Sequence, residues 1–343
     1  MKKIKIVFLI LLLTLAYSLP FIGCREAQNN FLPYDPKPNN SDGYNKTLAD
    51  RPGYALVEML SDEFNGTSLD QSKWIDSMTY WEGRGAEFLP SNISVGKGYL
   101  QLKSSIKNEA QLQELYSTID YLITGIHKTI DINAWTSSSY GTNWNSDKIN
   151  ADINNLMSTG IKAIGAAAIM SKQMAADSGY YEARIKASKL CMSSAFWLQG
   201  GGSEFDITES FGDVMIKTSS WHLERPYLIS TSIWDNNAKD SDPQLGGVNY
   251  KIENKTSDEF FVLGFKWGIK EVIVYYNDKE IMRKRLDTNP AIPFVKFASK
   301  KFLIFDTEIL NGPWVGWPSK NDLIDPTKNV FYIDWVRVWK QKT

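Results

Sequence analysis

The run Gly201-Gly202-Ser203-Glu204-Phe205-Asp206-Ile207-Thr208-Glu209-Ser210-Phe211-Gly212 sets three carboxylates into a short apolar segment bounded by glycines. In a β-strand successive side chains alternate faces, so Glu204 and Asp206 share one face while Phe205 and Ile207 point into the opposite layer. Glu209 breaks that parity. It lies five residues after Glu204 and joins the carboxylate face only if one extra residue is inserted, as a β-bulge near Ile207 or Thr208 would do. Sugar cleavage with retention needs two carboxyl groups roughly 5–5.5 Å apart, one attacking the anomeric carbon and one donating and then recovering a proton. Glu204 and Glu209 fit those roles. Asp206 between them would help to separate their proton affinities, because like charges that close resist ionising together. The same residues are compatible with a strand whose solvent face is acidic, or with a calcium site built from carboxylate oxygens.

The elements that must hold such a strand are legible as short alternating runs: Leu100 to Ser104, Tyr180 to Ala187, Phe260 to Trp267, Val272 to Asn277, Phe302 to Asp306 and Phe331 to Trp339. Their turns carry Gly, Asn or Asp, as at Asn277-Asp278, which is the signature of antiparallel sheets. One stretch departs from this pattern. From Leu112, apolar residues fall at Leu115, Ile119, Leu122, Ile123, Ile126 and Ile130, a helical period. A weaker helical pattern runs through Ile149, Ile153, Leu156 and Met157, after a polar loop from Ser137 to Ser146 that contains Tyr140 and Trp144.

At the N-terminus, Lys2, Lys3 and Lys5 precede an apolar run from Ile6 to Tyr17 and then Phe21-Ile22-Gly23-Cys24, an export signal. The run is short for a permanent membrane span, which takes about 20 apolar residues. It resembles a bacterial lipoprotein signal: residues 1–23 would be removed and Cys24 would carry the lipid. The protein would then be anchored at the outer membrane or cell surface; cleavage without lipidation would make it a secreted protein. Residues 24–55, rich in Asn, Asp, Pro and Gly, read as a flexible tether. The other cysteine is Cys191, so with Cys24 modified no intrachain disulfide is available and a large core must hold the fold. A net charge of −1 argues against a nucleic-acid partner. With only His127 and His222, neither a histidine-rich metal site nor a Ser/His/Asp triad assembles easily. The 12 Trp and 16 Tyr supply flat faces for stacking on sugar rings, although many must serve the sandwich interior.

The spacing E-x-D-x-x-E, preceded by Ser193-Ser194-Ala195-Phe196-Trp197-Leu198, resembles glycoside hydrolase family 16. Further segments match that family in order. Asp62-Glu63-Phe64-Asn65-Gly66 is similar to its opening strand, and Asn92-Ile93-Ser94-Val95 with Gly98-Tyr99-Leu100-Gln101-Leu102 to the next hairpin. Gly179-Tyr180-Tyr181-Glu182-Ala183-Arg184 is similar to the strand leading to the site, and Phe331-Tyr332-Ile333-Asp334-Trp335-Val336-Arg337-Val338 to the closing strand. The resemblance covers most of residues 56–341. It implies an all-β, two-sheet antiparallel β-sandwich jelly roll of the concanavalin-like type, with the site on a concave substrate groove. Family members cross the helical region with a short connection, so 106–164 reads as a helical insertion, either walling one end of the groove with Trp135 or Trp144 or serving as a structural appendage.

The resemblance further implies that Glu204 attacks C1, that Glu209 serves as acid and then base, and that Asp206 tunes both. Trp81-Glu82-Gly83-Arg84 is similar to a segment of agarases and porphyranases that reaches the subsites before the cleaved bond. With Lys189, Met192 to Trp197 and Asp306-Thr307-Glu308 it favours red-algal galactans joined by β-1,4-galactosidic bonds, agarose or porphyran. Trp81, Arg84, Trp197, His222 and Glu308 are expected to position the sugar chain, with Arg225 as an anion contact. Arg84 could instead pair with Glu82 or Glu87. Catalysis calls for no cofactor, although the family implies a structural calcium to which Glu63 and Asp334 would contribute. The expected partners are the polysaccharide and, through Cys24, the membrane; the enzyme is expected to be a monomer. A β-glucanase or κ-carrageenase-like hydrolase, and a non-catalytic glycan-binding lipoprotein, are the competing readings.

Overall fold

A computed structural model describes residues 53–78, 81, 85–133, 135, 147–159, 161–175, 179–214, 223–236, 244–268, 270–287, 297–310 and 315–342, all within the unit Leu32–Thr343. The export signal, Cys24 and the tether as far as Pro52 lie outside them. Six strands come first: β1 (Tyr54–Leu56), β2 (Trp74–Ile75), β3 (Ala86–Phe88), β4 (Ile93–Gly96), β5 (Tyr99–Lys103) and β6 (Ser105–Ile106). Helices α1 (Glu109–Thr124) and α2 (Asp147–Thr159) follow. Then come β7 (Ile164–Ser171), β8 (Gly179–Lys186), β9 (Ser194–Gly200), β10 (Ser203–Ser210), β11 (Leu228–Asp235), β12 (Gln244–Lys251) and β13 (Phe261–Trp267). The chain closes with β14 (Glu271–Tyr276), β15 (Lys279–Arg285), β16 (Phe302–Thr307), the short helix α3 (Lys320–Ile324) and β17 (Val330–Gln341).

One sheet runs β15-β14-β13-β8-β17-β5-β4, with β1 also on β17; the other runs β12-β11-β10-β9-β16-β7-β2, with β3 and β6 also on β7. Among the described strands only β3 pairs in parallel, with β7. This is the antiparallel two-sheet sandwich that the alternation predicts. Strand β1 starts at Tyr54, paired with Gln341, so the last two residues assigned to the tether belong to the sheet.

Alternation explains the core. Phe196 and Leu198 of β9, Phe205 and Ile207 of β10, and Leu303 and Phe305 of β16 point away from the carboxylate face. They pack on Tyr181, Ala183 and Ile185 of β8 and on Phe261, Leu263 and Phe265 of β13. Each large side chain so buried contributes about 1.5–3 kcal/mol. The stacked rings of Phe196 and Phe305, 4.7 Å apart, tie β9 to β16. At the β14–β15 turn Asn277 and Asp278 have φ of 44° and 65°, a left-handed pair that short polar side chains tolerate.

The segment between β6 and β7 leaves and rejoins one ladder, because Ile106 pairs with Ile164. Helix α1 begins where the Asn108 side chain accepts the Gln111 N–H at 3.0 Å. It ends at Gly125, whose φ of 69° closes the last turn. The helix therefore stops short of Ile126 and Ile130, which the helical period had included. Its buried face packs with Ile153 and Met157 of α2 and with Met192, Ile309 and Trp317 in a second apolar core. Trp135 belongs to that core: it stacks on Tyr116 at 4.5 Å and lies 6.0 Å from Trp317. Being buried there, it is not the groove wall that the sequence allowed; Trp144 lies outside the described residues.

Candidate active site

Strand β10 lies between β9 and β11 in the second sheet. Glu204 pairs with Gln199 and Asp206 with Trp197; the register then steps, so that Thr208 pairs with Phe196 and Glu209 with Ala195. The step inserts the extra residue that parity requires, and Glu209 returns to the face of Glu204 and Asp206. The same face continues across the neighbouring strands. On β11, Trp234 opposes Glu204 and Ser232 opposes Asp206. On β16, Ile304 opposes Trp197 and Asp306 opposes Ala195. Three rows result: Trp234-Glu204-Gln199, Ser232-Asp206-Trp197-Ile304, and Glu209-Ala195-Asp306. A cleft of about 370 Å³ opens on this face, lined by Trp81, Trp197, Gln199, Glu204, Asp206, Glu209, Trp234, Asn236 and Glu308 among others.

Each carboxylate has a distinct environment. Glu204 is half-buried, and its Oε2 accepts from Gln199 Nε2 at 2.8 Å and from Asn236 Nδ2 at 3.2 Å. Donors of this kind orient a carboxylate. Asp206 is buried. Its Oδ2 accepts the Trp234 indole N–H at 2.7 Å and the Ser232 hydroxyl. Burial pushes its proton affinity well above the ordinary carboxylate range, and the charges of Glu204 and Glu209 push the same way against those two donors. Asp306 is fully buried and shifts in the same direction, first through burial and then through Glu308 and Glu209, opposed by the Trp197 indole. Glu308 accepts the Trp81 indole N–H at 2.7 Å and so fixes that ring at the rim of the cleft.

Of the residues singled out in the sequence, Glu204, Asp206, Glu209, Trp197, Trp81 and Glu308 come together in the cleft. Arg84 and His222 lie outside the described residues. Arg225 is not among the residues that line the cleft. It is 4% exposed, donates to Ser230 Oγ at 2.6 Å and Asn249 Oδ1 at 3.3 Å, and lies over the Phe211 ring. Burial lowers its proton affinity, and the charge of Glu209 opposes that shift. Glu63 and Asp334, the residues expected to contribute to a calcium site, each pair with a guanidinium: Arg337 Nε lies 2.8 Å from Glu63 Oε1, and Arg184 Nη1 lies 2.7 Å from Asp334 Oδ2. Among the described residues no three His, Cys, Asp or Glu side chains converge as metal ligands.

Sequence reasoning missed Gln199, Ser232, Trp234 and Asn236, and it read Asp306 only as part of a segment pointing to the substrate. For Gln199 and Asp306 a signal existed. Gln199 alternates with Trp197 along β9, and Asp306 stands two residues before Glu308 at the end of β16. For the β11 residues only the sheet register reveals the contact.

Comparison with known proteins agrees with this geometry. Residues 133–341 match the family described as Beta-porphyranase A-D, GH16 domain. The chain is 29% identical over 302 residues to β-porphyranase D of Zobellia galactanivorans, a match that takes in 84% of this chain and 61% of that protein. It is also 29% identical over 295 residues to β-porphyranase E of the same organism, covering 82% of this chain and 85% of the relative. The solved structure of porphyranase B from Zobellia galactanivorans shares the fold, with a TM-score of 0.57 and 22% identity over 84% of this chain and 94% of that one. The sandwich, the stepped register of β10 and the profile match over more than half the chain together place this protein in glycoside hydrolase family 16.

Proposed function

We propose that this protein is a retaining endo-hydrolase that cleaves β-1,4-galactosidic bonds in a red-algal galactan, porphyran before agarose. The observation that carries the reading is the register step between Asp206 and Thr208, which returns Glu209 to the cleft face that Glu204 already occupies. Glu204 attacks C1. Both of its amide donors fall on Oε2, which holds the carboxylate still and leaves Oε1 for the attack. Glu209 protonates the leaving oxygen and then activates the water that releases the product. Burial, then the charges of Glu204 and Glu209, raise the proton affinity of Asp206 well above the ordinary carboxylate range. Its Oδ2 accepts from Ser232 and Trp234, which leaves Oδ1 as the oxygen to hold a proton beside the nucleophile. Trp81 and Trp197 offer ring faces to the sugar.

Porphyran is favoured over agarose by the matching family and by the two similar porphyranases. The signal at Lys2 to Cys24 supports export and anchoring through a lipid on Cys24, which would place the cleft outside the membrane. The test is reducing-end release from porphyran, agarose, κ-carrageenan and laminarin, by the wild type and by Glu204→Ser. The wild type should release sugar fastest from porphyran with the β anomer appearing first by NMR, and Glu204→Ser should fall at least about a thousandfold while still binding. Turnover retained in Glu204→Ser would remove the nucleophile assignment, and initial α anomer would remove the covalent intermediate.

A further inference from the structure

The turn that feeds Glu204 into the cleft is seated on the chain segment before β16. A Cβ on Gly200 would lie 2.5 Å from the carbonyl oxygen of Lys300, and one on Gly201 would lie 2.1 Å from Ser299 Cβ, so the two stretches are in direct contact. The next residue, Lys301, is anchored by backbone hydrogen bonds in both directions with Ala175, at 3.1 and 2.6 Å. Its ammonium turns back into the hairpin. Nζ donates to the Gly200 carbonyl oxygen at 2.8 Å, to Ser203 Oγ at 2.5 Å and to the Ser203 carbonyl oxygen at 3.4 Å. Three N–H bonds thus meet three acceptors, one on the incoming arm of the turn and two on the outgoing arm. The side chain is wholly buried, with Nζ 5.2 Å from the centre of the Phe205 ring and 5.6 Å from that of Trp267.

A buried ammonium is an expensive way to close a hairpin, since the charge loses its hydration and an apolar residue of similar length would not. What the charge adds is direction. Ser203 immediately precedes Glu204, and among the described residues the charge that acts on Lys301 is that of Glu204; its other close neighbours, Phe205, Trp267 and Ser203, are neutral. We propose that Lys301 is a positioning residue for the nucleophile: its ammonium clamps both arms of the Gly200–Ser203 turn and sets a positive charge behind the Glu204 carboxylate. The inference rests on the reading of Glu204 as nucleophile. Burial lowers the Lys301 ammonium to about 8, with Glu204 pulling it back up, so above about pH 8 the clamp loses a donor and its charge together. Unfolding would not cause the resulting loss of activity. Between about 8 and the ordinary 10.5 the unfolded chain holds a proton that the folded chain has released, so this group adds stability as pH rises through that window.

The experiment compares the full-length wild type, Lys301→Met, Ser203→Ala and Glu204→Ser on porphyran between pH 5 and 9.5, with melting temperature recorded throughout. Lys301→Met should lose about tenfold or more in kcat with KM within about twofold, because the cleft-lining side chains are untouched. The wild-type kcat should fall more steeply than one proton allows above about pH 8, and the extra step should be missing from Lys301→Met. In Ser203→Ala, which removes one acceptor of the charged form, that step should move to lower pH. A Lys301→Met enzyme with wild-type kcat and an unchanged profile overturns the inference. If that variant does not fold, an unmoved step in Ser203→Ala overturns it instead. Glu204→Ser separates the two assignments: activity retained there defeats the nucleophile reading, whereas an inactive Glu204→Ser beside a fully active Lys301→Met defeats the Lys301 inference alone.

Discussion

Two donors meet on a single oxygen of Asp206, and one of them comes from a residue that also lines the cleft. Trp234 gives its indole N–H to Asp206 at 2.7 Å while its ring forms part of the wall beside Glu204. Replacing it with Phe keeps most of the ring and removes the donor. A hydrogen bond to a buried carboxyl contributes about 1–3 kcal/mol, so Trp234→Phe should lower kcat about tenfold, with a smaller change in KM. Steady-state kinetics on porphyran would check this, and a variant altered only in KM would mean that Trp234 serves the sugar and not Asp206. At this scale alternation made the central motif legible: Phe205 and Ile207 had to point inward, and Glu209 needed an extra residue to join Glu204. The support around Asp206 was not legible, because Ser232 and Trp234 reach it only through the register of β10 on β11. Arg225 misled for a related reason. Its charge and place in the chain suggested an anion contact, but the turn Arg225–Tyr227 holds the guanidinium against Ser230 and Asn249, buried beside the strand that carries Ser232 and Trp234.

The helical insertion works on the cleft indirectly. Helix α1 buries Leu112, Leu115, Tyr116 and Ile119 in a core that also holds Met192 and Ile309, and these flank the residues that fix Glu308. Ser193 donates its backbone N–H to the Glu308 carbonyl at 2.9 Å, and the Glu308 N–H returns to Ser193 Oγ at 3.1 Å. The insertion thus props the stretch whose side chain holds Trp81. Ile119→Ala should leave a cavity costing about 2–4 kcal/mol in that core. Because the damage reaches Trp81 and not the carboxylates, KM should rise several-fold while kcat stays within about twofold. A fall in kcat at unchanged KM would place the coupling elsewhere. The existence of both helices was readable from the apolar period, since that period is local. The end of α1 was misjudged because Ile126 and Ile130 stay in phase with it, although Gly125 marks the stop and leaves Ile126 exposed.

Across the whole molecule the carboxyl cluster opposes the usual pH dependence of stability. Surface acids such as Asp70 and Asp287 are held below their ordinary range by hydrogen bonds from Ser72 and Arg285, and they add a small stabilisation as pH rises. Asp306 acts in the other direction. Its folded titration lies well above the ordinary 3.8, so from 3.8 upward the folded protein keeps a proton that the unfolded chain has lost. The linkage slope is then negative, and the contribution, complete below 3.8, is lost as pH climbs towards the folded value. Asn matches the shape of a protonated Asp and does not titrate. Asp306→Asn should therefore be about as stable as the wild type near pH 4 and increasingly more stable towards pH 8. Each pH unit between the folded and unfolded titrations is worth about 1.4 kcal/mol. Urea unfolding at pH 4, 6 and 8 isolates the effect, because the surface pairs cancel in the difference between the two proteins. A difference that stays constant across that range would mean that Asp306 is already ionised in the folded enzyme and that the row Glu209-Ala195-Asp306 carries an additional negative charge beside Glu209.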